Sequence, residues 1–381
     1  MNASQWSDER STQSSQTLWV LSDGRPGHES QSKGIVAALE MRRHVQVHWI
    51  AVTLRCALWR SILRAAARLL PAQLLHRVLP FSYRLTDWPN CPPTIVIGSG
   101  GDTLFMLGAL SALHRVPSVF SGTTKRYPRK FLDCVLTVVP DAATNNVVLP
   151  LPPAEVHECT RSNSAGRAAT LTGSVLIGGD GAGCVFDDAD WQRLAKWMAS
   201  QGASVRWQLS TSRRTGVKHE AQLQKILQAN AVALERAIWW AEKPERVMKE
   251  LLCDSDFIVC TQDSLSMLAE AMYTGKTVYS FAPEQCHMTD NDAAAVVSYV
   301  QRGFLKPLKE VQSIVVEHEP MPRSKAVYVQ IDTAVHAAQE RRQRRQSDSL
   351  EHAMRQSSLN NVNRPDPSHE PAEHLGNNKH G

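Results

Sequence analysis

Two series of short apolar segments, many of them ending in glycine-containing turns, constrain the fold of this 381-residue chain most strongly. Helical patterns fill the intervals 31–42, 55–78 and 103–113 between the apolar runs of the first half. Buried strands that alternate with helices are typical of a parallel sheet covered on both faces. The predicted strands of this half are Thr17–Leu21, Val45–Val52, Thr94–Gly98, Pro117–Phe120 and Cys134–Val139.

The same alternation begins again after residues 149–168, which are rich in proline, serine and charge, as a linker or surface loop would be. The sequence therefore predicts an α/β fold of two Rossmann-like, doubly wound domains that face each other across a cleft. The predicted strands of the second half are Ser174–Ile177, Ala203–Leu209, Ala237–Trp240, Phe257–Cys260 and Thr277–Phe281. The predicted organisation is a disordered tail (1–16), domains at 17–160 and 170–320, a helix at 321–346 and a disordered tail (347–381).

Cysteine and hydropathy patterns favour a cytoplasmic protein. The eight cysteines are scattered and form no CxxC pair, so we expect reduced thiols rather than a disulfide framework or a zinc site. The polar N-terminus has no apolar core of a secretory signal, and no apolar run approaches the roughly 20 residues that span a bilayer.

Residues 55–85 contain six arginines and no acidic residue. One interpretation is a basic amphipathic helix on an anionic membrane surface, which would make the protein peripheral at the inner membrane. The other is a helix packed on the core with its arginines in solvent. We expect no nucleic-acid partner, because the arginines are not set in a recognition motif.

The stretch SDGRPGHES joins the first predicted strand to a helix, and it is the first candidate site. A glycine turn at a helix start allows backbone amides to approach an anion. Histidine is the side-chain type best suited to taking a proton at neutral pH, so His28 is the candidate catalytic base, with Asp23, Gly24 and Gly27 beside it as substrate-binding residues. A plain tight turn is the alternative.

A second glycine turn, GSGGD, follows the strand at 94–98. Its Ser99 and Gly100 would lie on the same cleft edge as the first loop and are candidate substrate-binding residues. The alternative is a tight turn in which Asp102 or Thr103 caps the next helix.

The second half offers three candidate nucleotide-binding stretches. VLIGGDG supplies Gly178 and Gly179, although its spacing does not match the common nucleotide-binding fingerprints. STSRRTG supplies Arg213 and Arg214, which suit phosphate. CTQDSLSMLAE supplies hydroxyls and a helix start for a diphosphate, and a carboxylate for ribose; these residues are Thr261, Ser264, Ser266 and Glu270. The alternative is helix capping by Asp263 or Ser264 with a solvated glutamate.

Several of these motifs, in order, resemble the mitochondrial fission family of the Elm (elongated mitochondria) type. The resemblance covers about residues 17 to 310 and rests on LWVLSDGRPGHESQSKGIVAAL, SVLIGG, STSRRTG, CTQDSLSMLAEAMYTGKTVY and RGFLKPL. It implies the GT-B architecture, because some bacterial members are classed as glycosyltransferases and the family is similar to MurG-like enzymes. The chain departs from the family at GSGGD, where relatives commonly read GCGRR.

The resemblance implies a glycosyltransferase that moves a sugar from a nucleotide-sugar to a lipid-linked or lipopolysaccharide-type acceptor at the cytoplasmic membrane face. It places His28, Gly24 and Gly27 on the acceptor side, and Ser264, Ser266 and Glu270 on the donor. We expect no cofactor besides the nucleotide-sugar donor, and no metal. The alternative is a non-catalytic adaptor of the Elm type that recruits a partner protein to a membrane.

Overall fold

A computed structural model describes residues 15–84, 88–124, 126–156, 170–317 and 323–362. The chain divides into two compact units, 1–338 and 339–381. The first unit contains two six-stranded parallel sheets with helices on their faces. The predicted fold class, two doubly wound α/β domains, is therefore confirmed.

The first sheet is built around β1, and its order is β2-β1-β5-β6-β7-β8. A small antiparallel pair, β3 with β4, and two 3₁₀ turns lie between the main elements. The strands are β1 (Gln16–Ser22), β2 (Val45–Ala51), β3 (Thr53–Leu54), β4 (Tyr83–Arg84), β5 (Ile95–Ser99), β6 (Ser118–Ser121), β7 (Cys134–Thr137) and β8 (Asn146–Val148). The helices are α1 (Pro26–Glu40), α2 (Trp59–Leu69), α3 (Leu79–Ser82) and α4 (Leu104–His114).

The second sheet is also parallel and extends on both sides of its first strand, with two strands on one side of β9 and three on the other, and its order is β12-β11-β9-β13-β14-β16. Its strands are β9 (Leu171–Leu176), β11 (Val205–Ser210), β12 (Leu234–Ile238), β13 (Phe257–Thr261), β14 (Thr277–Phe281) and β16 (Lys306–Pro307), and β10 (Cys184–Val185) pairs with β15 (Gln285–Cys286) outside it. The helices are α5 (Asp188–Ser200), α6 (Gly216–Ala229), α7 (Met248–Asp254), α8 (Leu265–Tyr273), α9 (Asp290–Gln301) and α10 (Arg323–Val362).

Each sheet has a switch point where the chain changes direction across the sheet. In the first sheet β2 lies on one side of β1 and β5 on the other, so the loops after β1 and β5 meet at one edge. In the second sheet the loops after β9 and β13 meet in the same way. Open α/β sheets bind their ligands at such points, beyond the carboxyl ends of the strands.

Three clusters of buried apolar side chains hold the first unit together. One covers a face of the first sheet, one covers a face of the second, and the third includes residues of both sheets. The shared cluster contains Leu18 of β1, Ile258 of β13 and Ile331 of α10, all fully buried. Burial at about 25 cal/mol per Å² of apolar surface makes such a shared core a strong link between the two sheets.

Several element boundaries differ from the sequence prediction. Helix α1 begins at Pro26 rather than at 31, because proline is well suited to the first turn of a helix. The single helix expected at 55–78 ends at Leu69, and Pro71 precedes a 3₁₀ segment. The helix expected at 321–346 extends to Val362, so residues 347–362, expected to be disordered, are helical.

The expectation of reduced thiols is wrong for the disulfide-bonded cysteines, which include Cys184, Cys286 and Cys253. Cys184 and Cys286 are directly opposite each other on β10 and β15 and form a disulfide bond. The two cysteines are 102 residues apart in sequence, so no local motif indicated the pair.

The predicted tail at 1–16 lies almost wholly outside the described residues, as do most of the linker and residues 363–381. The predicted domain boundaries stay predictions. Among the described helices, none is long and apolar enough to cross a bilayer.

Candidate functional site

The loop after β1 holds an aspartate–histidine pair. Nδ1 of His28 lies 2.8 Å from Oδ2 of Asp23, whose side chain is only 3% exposed. Since an ionised carboxylate only accepts hydrogen bonds, Nδ1 carries the proton in the neutral ring. Nε2 then keeps its lone pair, which is the arrangement of an oriented general base.

The loop after β5 fits around this histidine. Gly100 has a φ of +86°, and a Cβ at this position would overlap the His28 ring. Only glycine both adopts this left-handed backbone conformation readily and leaves room for the His28 ring. Ser99 is buried beneath the loop, and its hydroxyl accepts a hydrogen bond from Ser32 of α1 at 3.2 Å. Gly24, with a φ of +73°, completes the turn after β1.

An ion pair joins the GSGGD loop to α2. The guanidinium of Arg60 donates to both carboxylate oxygens of Asp102, at 2.7 and 2.8 Å. Arg60 thereby brings a guanidinium to this loop from α2. The neighbouring carboxylate raises the pKa of Arg60 further, through the hydrogen bond first and the charge second.

At the second switch point, hydroxyl groups connect the loops through hydrogen bonds. The amide of Gly178 donates to Oγ1 of Thr261 at 2.7 Å, which joins the loop after β9 to the end of β13. Ser212 and Thr215, from the loop after β11, both donate to the Gly178 carbonyl. Thr261 is therefore a buried structural link here, while Gly179 turns the loop with a φ of +104°.

Arg214 is held at this point by a buried carboxylate. Its Nη2 donates to Oδ2 of Asp263 at 2.6 Å, and its Nη1 donates to the carbonyl of Asp180 at 3.4 Å. Burial raises the pKa of Asp263 to about 6. The sequence indicates Asp263 only as a helix cap, because its partner Arg214 is 49 residues away and no local motif connects the two.

The guanidinium of Arg214 is partly accessible to solvent. The Arg214 side chain is 37% exposed, whereas that of Asp263 is fully buried. Gly181 lies directly against the guanidinium, and a Cβ there would overlap it. Arg213, the next residue toward the N-terminus, is exposed. Arg214 is therefore the positioned cation of the STSRRTG motif.

Helix α8 starts without a side-chain cap. Ser264 is its N-cap residue but makes no capping hydrogen bond, and the first turn has no acidic residue. The hydroxyls of Ser264 and Ser266 lie 3.4 Å apart at this end. Uncapped amides at a helix start attract anions through their N–H groups and the helix dipole.

Helices α1 and α8 touch at their first turns. A Cβ on Gly27 would lie 2.7 Å from Oγ of Ser266, so the two helices approach as closely as glycine allows. This contact brings the His28 loop next to the uncapped start of α8. The acceptor-side and donor-side residues predicted from sequence therefore adjoin in the structure.

Glu270 lies on α8, further along its contact with α1. Burial raises its pKa to about 7, and a hydrogen bond from Ser30 opposes that rise. Lys33 and Glu155 are the nearby charges, and they form an ion pair with each other at 2.8 Å. The alternative of a solvated Glu270 is wrong, because the carboxyl is largely covered by α1.

The basic segment is packed on the core and also exposes apolar side chains. Leu63 and Ala67 of α2 are buried, whereas Leu58, Ile62 and Leu69 are 75%, 50% and 82% exposed. The interpretation as a helix packed on the core therefore describes α2, and binding to an anionic membrane surface stays a prediction. Arg64 and Arg68 donate to groups of the protein.

A family model described as mitochondrial fission ELM1 matches residues 26–355. The match covers most of the chain, so the chain belongs to this family, as its motifs predicted. A search of curated protein sequences found no significant match.

Several solved structures are similar to this chain at low sequence identity. MurG of Acinetobacter baumannii is 14% identical, with a TM-score of 0.46, over 86% of this chain and 99% of that one. MnaA of S. aureus, solved with UDP, is 14% identical, with a TM-score of 0.46, over 84% and 91%. The E. coli ADP-heptose lipopolysaccharide heptosyltransferase II is 11% identical, with a TM-score of 0.39, over 77% and 99%. No residue role follows from likenesses of this degree.

Proposed function

We propose that this member of the mitochondrial fission ELM1 family is a GT-B-type glycosyltransferase that takes its sugar from a nucleotide-sugar donor. The observation that carries the proposal is the contact between α1 and α8 at Gly27 and Ser266. It places an oriented imidazole beside an uncapped helix start, which are the two elements that sugar transfer from a diphosphate donor needs.

In this proposal Nε2 of His28 takes the proton of the acceptor hydroxyl. A bond forms between the acceptor oxygen and the anomeric carbon, and the bond from that carbon to the donor diphosphate breaks. The leaving nucleoside diphosphate gains negative charge. Arg214 and the amides at the start of α8 would stabilise that charge without reorganisation, because both are already held in place.

The donor residues of the proposal are Ser264 and Ser266 for the diphosphate and Glu270 for the ribose. Glu270 is largely buried and contacts Ser30 of α1, so ribose binding would replace its contact with Ser30. Gly178 and Gly179 would border the phosphates. Arg213 would contribute only long-range attraction.

The donor is tested by calorimetric titration of the full chain with UDP-, GDP- and CMP-linked sugars. We expect saturable binding of one of them and a loss of affinity in Arg214→Gln. The control is Arg206→Gln, because Arg206 lies at the opposite end of β11, in an exposed pair with Glu235. No saturable binding across the panel, or equal affinity in the two variants, would contradict the proposal.

We also propose that the acceptor is lipid-linked and that α2 docks the protein, at the cytoplasmic face, on an anionic membrane. Leu58, Ile62 and Leu69 supply the exposed apolar surface, and the arginines of 55–85 supply the positive charge. The test is flotation with vesicles that contain phosphatidylglycerol. The Leu58→Glu and Leu69→Glu double variant should lose recovery, whereas Val217→Glu, equally exposed on α6, should not. Unchanged recovery of the double variant would reject the docking.

A further inference from the structure

The turn beside the Arg214 guanidinium holds a strained residue. It runs from Gly181 to Cys184, and the amide of each of these two residues donates to the carbonyl of the other, at 3.0 and 2.8 Å. Ala182 has a φ of +47° and Gly183 a φ of +82°. This left-handed backbone is easy for glycine and unfavourable for alanine, so the surrounding structure must hold Ala182 in place.

The same turn forms one wall around Arg214. Gly181 lies directly against Nη1 of the guanidinium, and the carbonyl of Asp180 accepts a hydrogen bond from that nitrogen at 3.4 Å. Gly179, just before the turn, packs on the backbone of Arg214 itself. The conformation of residues 179–184 therefore sets both the position of the guanidinium and the space beside it.

The end of the turn is tied to the loop after β14. The disulfide bond between Cys184 and Cys286 joins β10 to β15, and the amide of His287 donates to the carbonyl of Gly183 at 2.7 Å. Each of these two strands is only two residues long, and the pair lies outside the six-stranded sheets. Because an isolated two-stranded pair is marginal by itself, the covalent bond is the strongest restraint on the turn.

We propose that the Cys184–Cys286 disulfide positions Arg214 for the donor and makes donor affinity depend on the redox state of the protein. When the disulfide is intact, the strained turn is held around the guanidinium; when it is reduced, the turn relaxes. The inference rests on the proposed function, because it assigns Arg214 to the donor diphosphate. The two cysteines touch no substrate and act through Arg214.

The reductant is a dithiol. Cys286 is the more exposed of the two cysteines, and Cys184 is only 1% exposed, so we expect the first thiolate of the dithiol to attack the sulfur of Cys286. The Sγ–Sγ bond breaks, and Cys184 leaves as a thiolate and takes up a proton. The second thiol then displaces Cys286, so the protein gains two electrons and two protons and the dithiol becomes a disulfide. Where the surroundings keep thiols reduced, disulfides are typically transient or redox-sensing.

The strain at Ala182 sets the size of the effect. A left-handed conformation is disfavoured about fivefold to thirtyfold for a residue other than glycine. A released turn occupies its strained form only for a correspondingly small part of the time. Since the apparent affinity of a ligand falls in proportion to the fraction of competent protein, reduction should weaken donor binding by about fivefold to thirtyfold.

The test is calorimetric titration of the full chain with UDP, GDP and CMP, before and after treatment with dithiothreitol. Mass spectrometry of the alkylated protein verifies the redox state of each sample. We expect at least one nucleotide to bind saturably to the oxidised protein and to bind about fivefold to thirtyfold more weakly after reduction. The Cys184→Ser and Cys286→Ser double variant should bind as weakly as the reduced wild type and should not respond to dithiothreitol.

Two controls assign the effect. Cys253 is also disulfide-bonded, and the double variant keeps that bond, so a full response of the double variant to dithiothreitol would overturn the inference. In Arg214→Gln, reduction should change the affinity by less than about twofold, because the disulfide acts through Arg214. Hydrogen exchange without nucleotide adds a readout of the turn: the amides of Gly181, Cys184 and His287 should exchange faster after reduction.

Failure of the inference and failure of the proposed function give different results. If no nucleotide binds to the oxidised protein although these amides exchange faster after reduction, the proposed function is contradicted, and the inference about the donor is overturned with it. If a nucleotide binds and its affinity stays within about twofold on reduction, or if Arg214→Gln keeps the full redox response, the inference alone is overturned.

Discussion

The two switch points of the first unit have the same topology and opposite chemistry. At the first, a buried aspartate orients an imidazole, and a second aspartate binds Arg60. At the second, a buried aspartate holds a partly exposed guanidinium beside an uncapped helix. The fold thus provides two equivalent edges, and the side chains on them make one suited to accepting a proton and the other to accepting an anion.

Helix starts also differ within the first unit. Asp187 and Asp190 form a complete capping box on α5, and Thr289 caps α9. The helices that begin at the switch points, α1, α4 and α8, have no side-chain cap, and neither do α2, α3, α6 and α7. A cap contributes about 1 kcal/mol, so the uncapped starts lower stability, but they do not distinguish the switch points from other helix starts.

The sharpest test of the contrast is His28→Ala. If the first edge supplies the base, transfer of labelled sugar to a lipid extract should fall by roughly 100- to 10,000-fold, because an unassisted hydroxyl is a poor nucleophile. Donor affinity, measured by calorimetry, should stay within about twofold, since the proposed donor residues lie on the other edge. The control is His44→Ala, an exposed histidine beside β2. Unchanged sugar transfer in His28→Ala would mean that the loop after β1 has only a structural role.

Arg214→Gln tests the second edge. Loss of a charge-assisted contact should weaken donor binding by about tenfold to a hundredfold, while His28-dependent proton transfer chemistry is untouched. The same change leaves Asp263 buried without its cation, so the free energy of unfolding should also fall, by about 1–3 kcal/mol. Arg213→Gln, at the exposed neighbouring position, should have a smaller effect on both measurements. A larger loss of donor affinity in Arg213→Gln than in Arg214→Gln would mean that Arg213, rather than Arg214, is the cation that binds the donor.

Glu270 lies between the two edges, and its titration gives a prediction for stability. Its pKa is raised by burial to about 7 in the folded protein, against about 4.3 in the unfolded chain. The folded state therefore binds more protons between these values, and stability falls as pH rises through this window. Glu270→Gln cannot ionise, so it should be more stable than wild type at pH 8 by about 1–2 kcal/mol.

The measurement is urea unfolding of both proteins at pH 8 and at pH 4. At pH 4 the wild-type carboxyl is mostly protonated in either state, and the difference should nearly disappear. Glu40→Gln, at an exposed position at the end of α1, is the control and should show no such pH dependence. A destabilised Glu270→Gln protein at pH 8 would mean that the carboxylate is needed in its ionised form.

The smallest effect is expected for Asp102→Asn. The Asp102–Arg60 pair has good geometry, but the arginine side chain is 50% exposed, and such pairs contribute about 0–1 kcal/mol. Thermal unfolding should therefore change little. Asp23→Asn is the matched change at the buried aspartate of the same edge and should cost more, because its amide group cannot accept as the carboxylate does.

The sequence was sufficient for the fold and for the edges, and insufficient for the pairings. Apolar runs and glycine turns are local, so they located β1, β5, β9 and β13 and the loops that follow them. The pairs that orient the site are separated by tens of residues: 42 for Arg60 and Asp102, and 49 for Arg214 and Asp263. No periodicity encodes such a pair.

The family resemblance compensated for part of this gap. The resemblance alone groups His28 with Ser264, Ser266 and Glu270. The structure brings these stretches together at the contact of α1 with α8. The resemblance did not indicate that the covered Glu270 faces Ser30, or that Arg60 reaches the GSGGD loop. Both contacts depend on how α1 and α2 pack, which is set by tertiary contacts rather than by motif.

The approach of Gly27 to Ser266 also has an evolutionary consequence. A side chain at position 27 would need a smaller residue at 266 or a wider separation of the two helices. The two positions are 239 residues apart yet are expected to change together as the family diverges. A lineage that replaced Gly27 would therefore have had to change its second domain at the same time, or to lose the close contact between α1 and α8.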